Sequence, residues 1–296
     1  MSFGVSPETF AVTLTSGLSG AAILFLVGAG LTLVFGALRL INMAHGSLYM
    51  LGAFLAVAVA GALGGTLGFA LAMVFASVSV GAIGGVVEIA VLRRLYGRDH
   101  LMQLLATFAL ILIIDGIVRV VFGTNNRSAG TPAALAGSIS VGRSSISAYQ
   151  VFLVALAAAV ATALWTLVYR TGFGRAIRAA VADPELLRLS GVNVPLLFTS
   201  VFALGAGLAG LGGAAVASYQ AVGLGIDVDI VVEAFAVTII GGLGSLGGAL
   251  VGALLVGLVQ SFGIYALPQY SLAFIFIVMA AVLAVRPWGL FGPAER

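Results

Sequence analysis

Long apolar runs, each closed by a few polar or glycine residues, recur along the 296-residue chain. Stretches of about 20 apolar residues predict transmembrane helices. They fall at about 10–37, 47–63, 66–92, 101–122, 149–169, 196–219 and, after the break at Pro268, 270–285. Between 226 and 266 the pattern changes. An apolar run from Ile230 to Ile240 meets the knot Gly241-Gly242-Leu243-Gly244-Ser245-Leu246-Gly247-Gly248, and a second apolar run follows at once. At about 1.5 Å per residue the first run falls short of the roughly 30 Å hydrocarbon core. The pattern therefore predicts a short or half helix, a glycine turn, and a helix packed tightly on its neighbours. The expected fold is all-α and polytopic, one membrane domain over 1–296 with eight or nine spanning or half-spanning helices. Alternating barrel-type segments do not dominate.

Two places break the apolar pattern at membrane depth. In the knot, Gly244, Gly248 and Gly252 stand four apart, a spacing that on a helix makes one close-packing face. Broken helices at that depth are tolerated only where protein or a water-filled cavity covers the freed backbone. Gly241, Gly242, Gly244 and Ser245 are thus candidates to line a passage; a glycine hairpin between packed helices is the plainer alternative. The second break, Asn42, His45, Gly46 and Ser47, stands between the first two spans with hardly a loop around it. These groups either cap helix ends or line the passage. HGSLYMLGAFLAV (45–57) weakly echoes GSLGGALVGALLV (244–256), an internal repeat of the kind transporters use around broken helices.

Composition supports the membrane reading: 61% of residues are hydrophobic and 8% charged, against about a quarter charged in a soluble domain. There is no cysteine and no lysine. A phosphate-binding P-loop needs its lysine, so this chain is not expected to hydrolyse ATP through that motif. Two histidines, His45 and His100, cannot make an HExxH site, and no metal, cofactor or catalytic residue is expected. A Ser245–His45 dyad would lack a group to orient the histidine. Glu88 pairs most simply with Arg93 or Arg94, and Asp115 with Arg119 one turn on. Asp227, Asp229 and Glu233 read as an acidic loop. Acids grouped near ends and loops, with no mid-span relay, argue against an ion-coupled secondary transporter.

Arginine sets the direction. One orientation puts ten of the thirteen basic residues on the cytoplasmic side, including Arg39, Arg93, Arg94, Arg98, Arg170 and Arg286, and leaves Arg119, Arg127 and Arg143 outside. The N-terminus is then external and the C-terminus cytoplasmic. The first residues, MSFGVSPETFAVTL, lack the basic start of a cleaved signal peptide. The basic balance reflects topology, not nucleic-acid binding.

Residues 170–194, RTGFGRAIRAAVADPELLRLSGVNV, form the longest charged segment. Asp183-Pro184-Glu185 is a helix start, with a capping Asp, Pro in the first position and an acid in the first turn. Gly191 fits the stop. A helix of about two turns would expose Leu186, Leu187 and Leu189, with a second short helix from Arg175 to Val181. Such faces are buried by the protein's own spans, by the lipid surface or by a cytoplasmic partner.

LRLINMAHGSLYMLGAF, GFGRAIRAAVADPELLRLSGVNV and TIIGGLGSLGGALVGALLVG together resemble the LivH-type permeases of branched-chain amino-acid ABC importers, over nearly the whole chain and in order. One departure is Ser47, where relatives often carry an acid. The resemblance implies that 170–194 is the loop that docks on an ATPase, through Gly172, Arg175, Ala179, Asp183 and Gly191. It implies a multi-pass protein of the bacterial inner membrane. It also implies a second, LivM-like permease, two cytoplasmic ATPases holding ATP and Mg, and an extracytoplasmic binding protein. Permeases for urea and short amides share these motifs, so the solute stays open between them and amino acids.

Overall fold

The computed structural model describes residues 6–142 and 144–292. In chain order it holds α1 (Pro7–Leu38), α2 (His45–Leu63), α3 (Gly65–Ala90), α4 (His100–Phe122), β1 (Ser138–Val141), β2 (Ser144–Ser147), α5 (Ala148–Arg170), α6 (Gly172–Ala182), α7 (Pro184–Leu189), α8 (Val194–Ala217), α9 (Ile226–Gly241), α10 (Leu246–Ala266) and α11 (Ser271–Val285). Among the described residues seven helices, α1 to α5, α8 and α10, are long and apolar enough to cross a bilayer. The chain is an all-α polytopic membrane protein with one small addition. The polar 123–147 stretch contains an antiparallel hairpin pairing Ser138 with Ser147 and Val141 with Ser144. Helix α9 has 16 residues, roughly 24 Å at 1.5 Å per residue, the short element that precedes the glycine knot.

Helix α1 is the centre. The Ser6 hydroxyl accepts from the Thr9 N–H at 3.2 Å, and Pro7 takes the first position. Every residue from Ala21 to Val34 is buried, as a helix apolar on all sides requires. Helices α5, α8, α9 and α10 surround it. Helix α2 is held mainly by α3 and α8. By contrast α4 buries only Gln103, Thr107, Leu110, Ile114 and Val118, one stripe at three- to four-residue spacing. Its Leu112, Ile113 and Val120 are exposed, an apolar face suited to lipid.

At one end of the bundle lie the C-terminal ends of α1, α3 and α5, the helices α6 and α7, and the α9–α10 turn. At the other, Arg127 exchanges two backbone hydrogen bonds with Val222 (2.9 and 2.7 Å), and the Thr131 hydroxyl donates to the Ser218 carbonyl at 3.1 Å. The Tyr149 hydroxyl donates to the Ala215 carbonyl at 2.7 Å. The 123–147 segment is thereby fastened over the α8–α9 connection. Arg143 and Arg296 of the charge count lie outside the described residues.

Candidate translocation and coupling site

After α1 the chain turns back along it. Arg39 caps α1 in the left-handed region (φ 50, ψ 33), and its N–H donates to the Phe35 carbonyl at 2.8 Å. Residues 40–44 are non-helical, and α2 opens at His45, whose Nε2 lies 3.0 Å from the Val27 carbonyl. That carbonyl is roughly 16 Å back from the end of α1, so α2 starts inside the bundle. The Ser47 hydroxyl donates to Asp227 Oδ2 at 2.9 Å, joining the first turns of α2 and α9. Gly46 makes the approach possible: a Cβ there would collide with the Asp227 carbonyl. Asn42, His45 and Ser47 are all buried, and among the described residues nothing hydrogen-bonds the Asn42 side chain or His45 Nδ1. Asp227 was expected in an acidic loop. Instead all three acids stand on α9. Asp227 is buried, Asp229 is exposed, and Glu233 accepts from Gln260 Nε2 of α10 at 2.9 Å.

The knot is a tight hairpin. Gly248 packs against Gly241, and a Cβ on Gly252 would lie 2.5 Å from the Val237 carbonyl, so both glycines face α9. Gly244 does not share their face, because α10 begins only at Leu246. It sits in the turn at φ +86, against Gly36 of α1. Ser245 caps α10 by accepting from the Gly248 N–H at 3.1 Å. The last carbonyls of α9 have no partner within their helix. The tail after α11 supplies two donors: Leu290 N–H donates to the Ile240 carbonyl at 2.9 Å and Phe291 N–H to the Gly241 carbonyl at 3.0 Å. Gly241 and Gly242 are thus covered by α10 and the tail, while Gly244 and Ser245 line a cavity of about 660 Å³. The two turns that share Gly-Ser-Leu lie at different depths, one beside Val27 and the other beside Gly36.

The 170–194 segment forms both expected helices. Thr171 caps α6, accepting from the Gly174 N–H at 3.3 Å. Ile177 and Ala180 turn inward, and Gly172, Arg175 and Ala179 outward. Asp183 caps α7, accepting from the N–H groups of Glu185 and Leu186, each at 2.9 Å. Pro184 and Glu185 follow as read, and Gly191 closes the segment at φ +85. Leu186 and Leu189 are 61% and 86% exposed, whereas Leu187 packs on the core. Ile177, Arg178 and Val181 of α6 form a wall of the same 660 Å³ cavity that Gly244 and Ser245 line. The structure therefore brings α6 and the knot together. The Asn42–Ser47 group is elsewhere, in the packed interior.

A family model described as "Branched-chain amino acid transport system / permease component" matches residues 13–283. The chain belongs to this permease family. It is 28% identical to the high-affinity branched-chain amino acid transport system permease protein BraD of Pseudomonas aeruginosa, over 95% of each chain. It is 27% identical to LivH of Escherichia coli K12, over 91% of each. The ribose import permease protein RbsC of the same organism is 26% identical over 87% of this chain and 79% of its own. A solved structure, PsaBC from Streptococcus pneumoniae in complex with Fab, aligns with a TM-score of 0.49 at 14% identity over 98% and 94% of the two chains. The chain is accordingly a multi-pass inner-membrane permease subunit of a branched-chain amino-acid ABC importer.

Beside the expected residues the permease carries a second polar cluster. Glu88, fully buried at the end of α3, accepts two hydrogen bonds from Arg93 (3.1 and 3.0 Å), one from the Tyr96 hydroxyl (2.7 Å) and one from the Thr199 hydroxyl of α8 (2.7 Å). Of the two partners the sequence offered, Arg93 and Arg94, the ion pair is with Arg93. The hydrogen bond to Glu88 holds the Arg93 guanidinium above its usual pKa, and burial pushes the Tyr96 hydroxyl up. Gln103 of α4 ties in the chain before α2, accepting from Ile41 N–H at 3.5 Å and donating to the Leu95 and Arg98 carbonyls. The contacts Thr199–Glu88, Gln103–Ile41 and Asp227–Ser47 escape a sequence reading because the partners are distant in the chain. Only a polar residue inside an apolar run signals them.

Proposed function

We propose that this permease is one half of a heterodimeric transmembrane core, paired with a LivM-like permease, that passes branched-chain or other small amino acids. Two cytoplasmic ATPases drive it and an extracytoplasmic binding protein delivers the solute. The N-terminus is outside, the C-terminus is cytoplasmic, and eight or nine segments enter the bilayer, counting α9. Residues 170–194 are the coupling loop, with Gly172, Arg175, Ala179, Asp183, Pro184, Glu185, Leu186, Leu187 and Gly191 at the ATPase. The observation that carries this reading is the cavity shared by α6 and the α9–α10 turn. A push on exposed Leu186 and Leu189 reaches Gly244 and Ser245 through one short helix. Full-length matches to amino-acid permeases support the solute class; the match to the fructose import permease protein FrcC covers 42% of this chain.

The test is co-purification in mild detergent with the second permease and candidate ATPases, using wild type and a variant with 183–190 replaced by a Gly/Ser linker. Capture by wild type and loss in the variant is expected. A variant that keeps its ATPase would remove the coupling assignment. A well-folded wild type that captures none would remove the candidate ATPases as its partners.

A further inference from the structure

Three cavities on the α1–α5–α10 side share walls. One of about 330 Å³ and one of about 240 Å³ have Phe25, Ala161 and Leu250 in common. The second shares Tyr169 and Leu246 with the 660 Å³ cavity beside α6. Together they make one groove with α1 as its floor. Its walls are mainly apolar until the last section, where Arg39 and Arg178 enter. Among the described residues neither arginine has a carboxylate partner. Arg178 is held in place by the Val168 carbonyl and lies 5.6 Å from the centre of the Tyr169 ring. Arg39 is the one non-glycine residue with positive φ among those described. Glycine is the usual choice at such a helix end; here an arginine takes that conformation, and its side chain lines the cavity.

We infer that Arg39 and Arg178 form an anion subsite at the end of this groove, which takes the carboxylate of an aliphatic amino acid before its release. The inference rests on the permease reading. Leu33, Phe35, Ile177 and Leu243 offer apolar walls for the solute's side chain. A guanidinium binds a carboxylate through charge-assisted hydrogen bonds. Arg39 belongs to the end of α1 and Arg178 to α6, so displacement of α6 separates the two cations and lets the carboxylate go. A phospholipid headgroup carries the same anionic chemistry, and the experiment must tell the two apart.

The assembled transporter, with second permease and ATPases, is placed in phosphatidylcholine nanodiscs without the binding protein. Radiolabelled leucine binding is measured for wild type, Arg39→Gln, Arg178→Gln and Arg178→Lys. Saturable binding is expected in wild type, weakened about tenfold or more in each Gln variant and largely kept in Arg178→Lys, whose recovery also shows that the fold survives. Leucinamide, which lacks the carboxylate, should compete at least about tenfold less well than leucine. Unaltered binding in the Gln variants, equal competition by leucinamide, or no saturable binding in wild type would overturn the subsite. So would loss of leucine binding on adding phosphatidylglycerol, which would give the cations to lipid. ATP-driven leucine uptake by wild type with its binding protein is run alongside. If uptake occurs while Gln variants bind normally, only the subsite falls; if wild type takes up no leucine, leucine as the solute falls with it.

Discussion

Ser47 and Asp227, 180 positions apart, share a 2.9 Å hydrogen bond that joins the starts of two interrupted helices. The carboxylate is buried and has no cationic partner among the described residues. The acid at the first turn of α9 is favoured by that helix's positive end, and the Ser47 hydroxyl supplies a side-chain donor.

Ser47→Ala should therefore leave a buried carboxylate short of a donor and cost about 1–3 kcal/mol. Thermal unfolding in detergent would show it. The double variant Ser47→Ala/Asp227→Asn should be less destabilised than the two single changes added together. Strict additivity would mean that the hydrogen bond contributes nothing.

Glu88 is a stronger test, because four donors converge on it. Arg93→Ala removes its cation while leaving the charge buried, a change worth about 3–5 kcal/mol in comparable pairs. The exposed Asp115–Arg119 pair at 3.5 Å is the control; Arg119→Ala should cost no more than about 1 kcal/mol. Comparable losses of folded protein from the two variants would contradict the burial contrast.

Gly30 and Gly205 bring α1 and α8 into backbone contact. A Cβ on Gly30 would lie 2.5 Å from the Gly205 carbonyl and 3.1 Å from His45 Nε2. Gly30→Val should destabilise by about 1–3 kcal/mol or more through overpacking and disturb α2 with it. Gly20, on the same helix, has nothing within 4 Å of its Cβ position, so Gly20→Ala should be neutral or gain up to about 1 kcal/mol. Detergent melting curves for the pair decide the matter.

Removing the chain after Arg286 takes away the donors of Leu290 and Phe291 and leaves the Ile240 and Gly241 carbonyls uncapped. Amide exchange at Gly242 and Ser245 should accelerate while exchange within α1 stays as it was. An unchanged rate in the turn would mean that the tail does not hold it.

Asp183 caps α7 through two backbone N–H groups. Asp183→Ala should weaken that short helix by about 1 kcal/mol and reduce ATPase capture by the assembled permease. Asp183→Asn keeps an acceptor oxygen and should retain capture. Equal loss in both variants would point to the charge of Asp183, not its cap, as the feature that matters.

The sequence by itself determined the membrane class, the long spans, the short element before the glycine knot and the capped helix at Asp183. Each of these depends on neighbours within a few residues: apolar run length, helix start chemistry and glycine spacing. It also narrowed the partner of Glu88 to Arg93 or Arg94, because both lie close in the chain, and the structure pairs it with Arg93. Tertiary structure alone decided what the polar residues do inside the bundle. It moved Asp227 from an expected loop to a buried hydrogen bond, sealed Gly241 and Gly242 beneath α10 and the tail, and took Asn42 and His45 away from the cavity that Gly244 and Ser245 line. Apolar periodicity says that a helix is buried, but in a chain this rich in apolar residues it does not say against what. Those contacts depend on where small residues let distant backbones meet, which is a property of the assembled bundle.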